Sequence, residues 1–132
     1  MTSPPAARRP CVLFLSGASL VGQNVLASLD GRRNGLHLAA INSVAAEPAL
    51  FDFDEAFLCG NLRDDPDAFT RRFVAILDAL RPHLVIPCRD DDAAYLAARA
   101  AAHPAHAQRF LCGASRPAGA ILDKAASASL AQ

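Results

Sequence analysis

The chain has 132 residues, 52% of them hydrophobic, and its thirteen Lys and Arg are matched by thirteen Asp and Glu. That is room for one domain with a substantial core and too little for two. Zero formal net charge removes the main electrostatic argument for a nucleic acid or an anionic membrane as partner, and no apolar run approaches the roughly 20 residues of a membrane helix.

Residues 1–10 hold Pro4, Pro5, Arg8, Arg9 and Pro10 and no apolar core. They read as a disordered leader and not as a signal peptide. Cys11-Val12-Leu13-Phe14-Leu15 is a continuous apolar run closed by Ser16-Gly17, which suits a strand buried on both faces. A helix is expected from Gly22 to Leu29, with Val21, Val25 and Leu29 at four-residue spacing. Asp30-Gly31 and Asn34-Gly35 stop it. Leu36 to Ile41 reads as the second strand, 42–54 as an irregular connection holding Pro48, and Ala56 to Cys59 as a short third strand.

The next helix carries the strongest local signals. Asp65 caps it, Pro66 fits its first turn, and Phe69, Phe73, Ile76, Leu77 and Leu80 form one stripe. Pro82 ends it. Leu84 to Cys88 is the fourth strand, Asp90, Asp91 and Asp92 open a third helix, His103-Pro104 closes that helix, and Arg109 to Cys112 is the fifth strand. Strands alternating with helices predict parallel pairing through right-handed crossovers. The expected fold is α/β: an open, doubly wound, Rossmann-like parallel sheet of about five strands with helices on both faces.

Such sheets bind ligands outside the carboxyl ends of their strands. The turn Ser16-Gly17-Ala18-Ser19-Leu20-Val21-Gly22 has the outer glycine spacing of a dinucleotide fingerprint without its middle glycine. The bland reading gives Gly17 the turn's backbone angle and Gly22 a packing role. The functional reading offers the helix amino end to an anion. The second strand ends in Asn42-Ser43, where an NAD site usually places an acid. Arg89-Asp90-Asp91-Asp92 is the densest charge cluster. Its carboxylates suit a helix start, and with Arg89 they could also line a substrate surface. Three consecutive acids fan around a helical turn, so no metal site is expected of them.

His103 and His106 read as a solvated loop, since Pro104 stands between them. The four cysteines, at 11, 59, 88 and 112, show no C-x-x-C spacing and read as small buried hydrophobes. Reduced thiols point to a reducing, cytoplasmic setting.

Taken in order, these segments resemble the amino-terminal, pre-ATP-grasp domain of ATP-grasp enzymes, such as the carbamoyl-phosphate synthase large subunit and biotin carboxylase. The likeness spans about residues 11–124. It rests on Val12 to Gly17, on Phe53-Asp54-Glu55-Ala56-Phe57, on Pro82 to Asp91, and on Ile121-Leu122-Asp123-Lys124. The last looks like the junction at which the ATP-grasp region starts. The resemblance implies a pre-ATP-grasp domain over 11–122 and the start of a truncated ATP-grasp region over 123–132.

It further implies ATP-dependent ligation of a carboxylate to an amine or thiol, with ATP and magnesium held by the rest of the chain and no cofactor in this part. Gly17, Ser19, Arg89 and Asp90 would then face substrate, and Lys124 would reach the nucleotide phosphates. No catalytic residue and no metal ligand is expected here. The partners implied are the remainder of an ATP-grasp chain and a small carboxylate, and a homodimer is allowed. A dinucleotide-using oxidoreductase or epimerase fragment and a standalone binding module stay open as alternatives.

Overall fold

The protein is described here by a computed structural model covering residues 8–29 and 31–112. Four strands, β1 (Cys11–Leu15), β2 (His37–Asn42), β3 (Glu55–Leu58) and β4 (Leu84–Pro87), form one parallel sheet in the order β3-β2-β1-β4. Helix α1 (Leu20–Ser28) joins β1 to β2, α2 (Pro66–Leu80) joins β3 to β4, and α3 (Asp90–Ala102) follows β4. β1 is central because its run is apolar throughout. Leu13, Phe14 and Leu15 are fully buried, as a strand covered on both faces requires.

Alternate strand residues point to opposite faces, and the core divides accordingly. Cys11, Leu13, Leu15, Ala39, Ile41 and Val85 pack with Phe69, Phe73, Ile76, Leu77 and Leu80 of α2 and Leu96 of α3. Phe14, Leu38, Ala40 and Cys88 pack with Leu26 of α1 and with Phe53. The expected α2 stripe is therefore buried, and its start follows the expected signals. Asp65 accepts from the Ala68 N–H at 3.0 Å, and Pro66 sits in the first turn.

Asp54 shows how β3 is seated. Its backbone N–H donates to the Leu38 carbonyl, and its carboxylate accepts from the Leu38 N–H, both at 2.8 Å. The strand thus enters the sheet clamped to β2. The connection before it, expected to be irregular, contains a 3-10 turn over Pro48–Asp52.

Two expectations need correction. The fifth strand, Arg109 to Cys112, is not formed among the described residues: Phe110 makes one isolated parallel bridge to Val85. Val85 N–H donates to Arg109 O, and Leu111 N–H donates to Val85 O. The Cys112 N–H then turns back to Phe110 O, so no ladder extends. The sheet has four strands, not five. Second, Pro104 starts a one-turn helix, α4 (Pro104–Ala107), rather than a loop. Proline at a first helical position sacrifices only an N–H that would be unpaired anyway. The His103 and His106 rings lie 6.0 Å apart there. Residues 8–10, the described part of the leader segment, make contacts with the domain. Arg8 donates to the Leu80 carbonyl, Arg9 to that of Leu36, and His37 N–H to Pro10 O.

Cys11, Cys59 and Cys88 are buried, and Cys112 is half-buried. All four are free. No helix among the described residues is long and apolar enough to cross a membrane.

Candidate functional site

The carboxyl ends of β1, β2 and β4 meet the amino ends of α1 and α3, and a polar depression opens there. It has two lobes. A small recess of about 20 Å³ is lined by Ser16, Asn42, Ser43, Asn61, Arg89, Asp91 and Asp92, among others. A wider lobe of about 120 Å³ is lined by Ser16, Ala18, Ser19, Asn42, Ser43, Val44, Glu47 and Arg89. Ser16, Asn42, Ser43 and Arg89 border both. The topology predicts this place, because parallel strands all deliver their following loops to one edge.

Ser16 is the pivot. It has φ 54°, a left-handed conformation that costs a non-glycine residue roughly 1–2 kcal/mol. Its carbonyl accepts from the Ser19 N–H at 3.0 Å, which closes the turn into α1. It borders the small recess together with Asp92. A strained polar residue at a strand end is a common mark of a site.

Asp92 is the buried charge of the pocket. It is 5% exposed, the sole buried polar or charged side chain among the described residues. Burial is the main cause that pushes its carboxyl up to about 6. Asp91 adds to the rise, and the Ser16 hydroxyl and Arg89 oppose it. Its Oδ2 is shut from solvent and has no hydrogen-bond partner among the described residues. Buried polar atoms are normally paired, so such an atom calls for an explanation.

Asp91, one position earlier, is instead engaged by the Arg63 Nε at 3.0 Å. Arg89 caps α3 through its backbone position, with no side-chain cap bond. It is exposed, and its guanidinium forms no ion pair among the described residues. Its charge acts on Asp92 across space, but no carboxylate among the described residues holds it in an ion pair.

The other expected site residues are distributed as follows. Ser19 borders the wider lobe and caps α1, accepting from the Gly22 N–H at 3.4 Å. Asp90 opens α3 on the exposed side and borders neither lobe. Gly17 faces away from the pocket: a Cβ there would lie 2.7 Å from Ala40 Cβ and 2.9 Å from Phe53 Cζ. Its role is packing under the sheet. The positive φ expected at Gly17 falls on Ser16 instead. Lys124 and residues 113–132 lie outside the described residues. Asp91, Asp92 and Asn42 complete the pocket beside Ser16, Ser19 and Arg89. A sequence signal for Asp92 existed in the acidic run, but the run alone does not tell which carboxylate is turned inward.

The first turn does not suit a pyrophosphate. Asn42, at the position where a dinucleotide site holds ribose, donates its side-chain amide to the Val44 carbonyl at 2.9 Å. Asp91, Asp92 and Glu47 line the pocket against one Arg89, a balance that disfavours a triphosphate. No group of three or more His, Cys, Asp or Glu among the described residues is arranged to hold a metal. Cys88, beneath the turn, is no nucleophile: burial, and then the Asp92 charge, push its thiol up to about 12. The chain matches no protein-family model and no curated protein sequence.

Proposed function

We propose that this chain is the substrate-side, amino-terminal domain of an ATP-dependent carboxylate–amine ligase of the ATP-grasp kind, binding a small substrate without performing the chemistry alone. One observation carries the reading. Two of the segments that resemble the family, Val12 to Gly17 and Pro82 to Asp91, converge at one pocket, where Ser16, Arg89, Asp91 and Asp92 come together. The same reading takes the sheet as doubly wound. The order β3-β2-β1-β4 and the two core clusters support it.

In this reading the pocket orients substrate and the ATP machinery belongs to other domains. The described residues fit that division of labour. They present donors and acceptors for a small polar molecule. Arg89 is placed to pair with a carboxylate through its planar fork, and Ser16 and Asn42 flank it. A cytoplasmic setting accompanies the proposal, as does a homodimer as its simplest assembly.

The coding sequence after Gln132 tests this directly. A following region with paired β-hairpins and Glu and Asn metal ligands upholds the reading. A stop codon at that point turns it toward a standalone binding module. In an enzyme so extended, Arg89→Ala is expected to raise KM for the acid substrate and leave KM for ATP unchanged. Equal effects on both, or none, would remove Arg89 from the substrate.

A further inference from the structure

The pocket holds a feature that a carboxylate substrate does not explain. Asp92 Oδ2 is an acceptor without a donor. The atom is shut from solvent, and Asp92, 5% exposed, borders the small recess through the rest of its side chain. An unpaired buried acceptor is destabilising, the more so when charged. A fold that served only to pack α3 would gain by placing an apolar or paired residue there. Ser16, strained at φ 54°, borders the same recess, so two unfavourable arrangements are concentrated at one spot.

The recess is about 20 Å³, which admits one water-sized group. A primary ammonium head has that size and supplies up to three donors. A guanidinium or a quaternary ammonium is larger. Beyond the recess the wider lobe of about 120 Å³ offers Arg89, the exposed guanidinium that borders both. Asp91 and Asp92 border the recess, Arg89 borders both lobes, and Glu47 borders the wider one.

We propose that the pocket takes a small α-amino acid, with its ammonium in the recess on Asp92 and its carboxylate toward Arg89. The inference rests on the reading of this pocket as the substrate face, and makes the acid held there an amino acid rather than a simple carboxylate. Ser16 shares the ammonium by turning its lone pairs to it. Asp91 stays with Arg63 and shapes the rim.

Titrations of the ¹⁵N-labelled chain followed by NMR test the assignment. The ligands are glycine and alanine, their deaminated counterparts acetate and propionate, methylamine, and tetramethylammonium. Glycine or alanine is expected to shift the amides of Ser16, Asn42, Arg89 and Asp92. The deaminated acids and tetramethylammonium should bind at least tenfold more weakly, and methylamine should perturb Asp92 and Ser16 without Arg89. Asp92→Asn preserves the shape of the side chain and should weaken the amino acid at least tenfold, with the spectrum of a folded protein retained. Ser16→Ala serves as a second variant and should weaken it less.

If acids bind as well as amino acids and Asp92→Asn changes nothing, the ammonium assignment is overturned while the substrate-face reading stands. If no ligand perturbs the pocket, the assignment is overturned with it, and the recess is the seat of a structural water.

Discussion

Gly22 lies directly against the backbone of Gly17. A Cβ at Gly22 would come within 2.7 Å of the Gly17 carbonyl carbon and closer still to its oxygen. The first turn of α1 therefore sits on the turn that leaves β1, and that contact sets the angle at which the helix amino end, with Ser19, meets the pocket. Two glycines that resemble a phosphate fingerprint in spacing are used here for close packing.

Gly22→Ala forces backbone against a side chain and has no flexible atom to displace. Overpacking of this kind costs about 1–3 kcal/mol, sometimes more. Urea denaturation should show the loss as a lowered midpoint at unchanged slope. A midpoint equal to that of the parent chain would mean that the turn opens without cost.

Phe73 is the anchor of α2. It is fully buried and packs with Phe69, Tyr95 and Phe110 at ring-centre distances of 6.0, 5.8 and 6.0 Å. Phe73→Ala leaves a cavity among rings that cannot all collapse into it, so a loss of about 3–5 kcal/mol is expected. The same denaturation experiment measures it, and a loss under about 1 kcal/mol would show that α2 does not bury this face.

Asp92 ties stability to pH in the direction opposite to a salt-bridged carboxylate. Its folded pKa, about 6, lies above the unfolded value of 3.8. The folded state thus binds a proton that the unfolded state has released. Its contribution is present in full below about pH 4 and is lost as pH rises through about 6, by up to about 3 kcal/mol. Asp92→Asn should erase that slope. Parallel pH–stability curves for the two proteins between pH 4 and 7 would contradict the burial argument.

The thiols should react in order of exposure and ionisation. Burial pushes all four up from the ordinary value. Cys88 rises furthest, and Cys112 alone is half-buried. Iodoacetamide near pH 8, read by mass spectrometry, should label Cys112 first and Cys88 last, because only the thiolate attacks. Early labelling of Cys88 would mean that the turn over it opens readily.

Much of the architecture was legible from local pattern. The apolar run at Cys11–Leu15, the Asp65-Pro66 start and the stripe from Phe69 to Leu80 each act within a few residues. Periodicity and capping are properties of a segment before it meets any other. The strand expected at Arg109–Cys112 failed for the complementary reason. Its composition suits a strand, but pairing is decided by the edge it meets, and only Phe110 bridges to Val85.

The pocket divides in the same way. That Arg89 to Asp92 would gather at the strand ends follows from a parallel sheet. Which of three consecutive aspartates turns inward does not. Successive helical residues point about 100° apart, so Asp90 and Asp92 lie on nearly opposite faces of α3, and the rotation of the helix decides which of them is turned inward. That rotation is set by Leu96 and Ala97 packing toward the core. The left-handed conformation likewise falls on Ser16, while Gly17 is needed for its missing Cβ, which leaves room for Ala40 and Phe53. The sequence by itself determined the elements and the edge at which they converge. Only tertiary packing decided which carboxylate is buried there and which serine is strained beside it, because both depend on contacts between segments far apart in the chain.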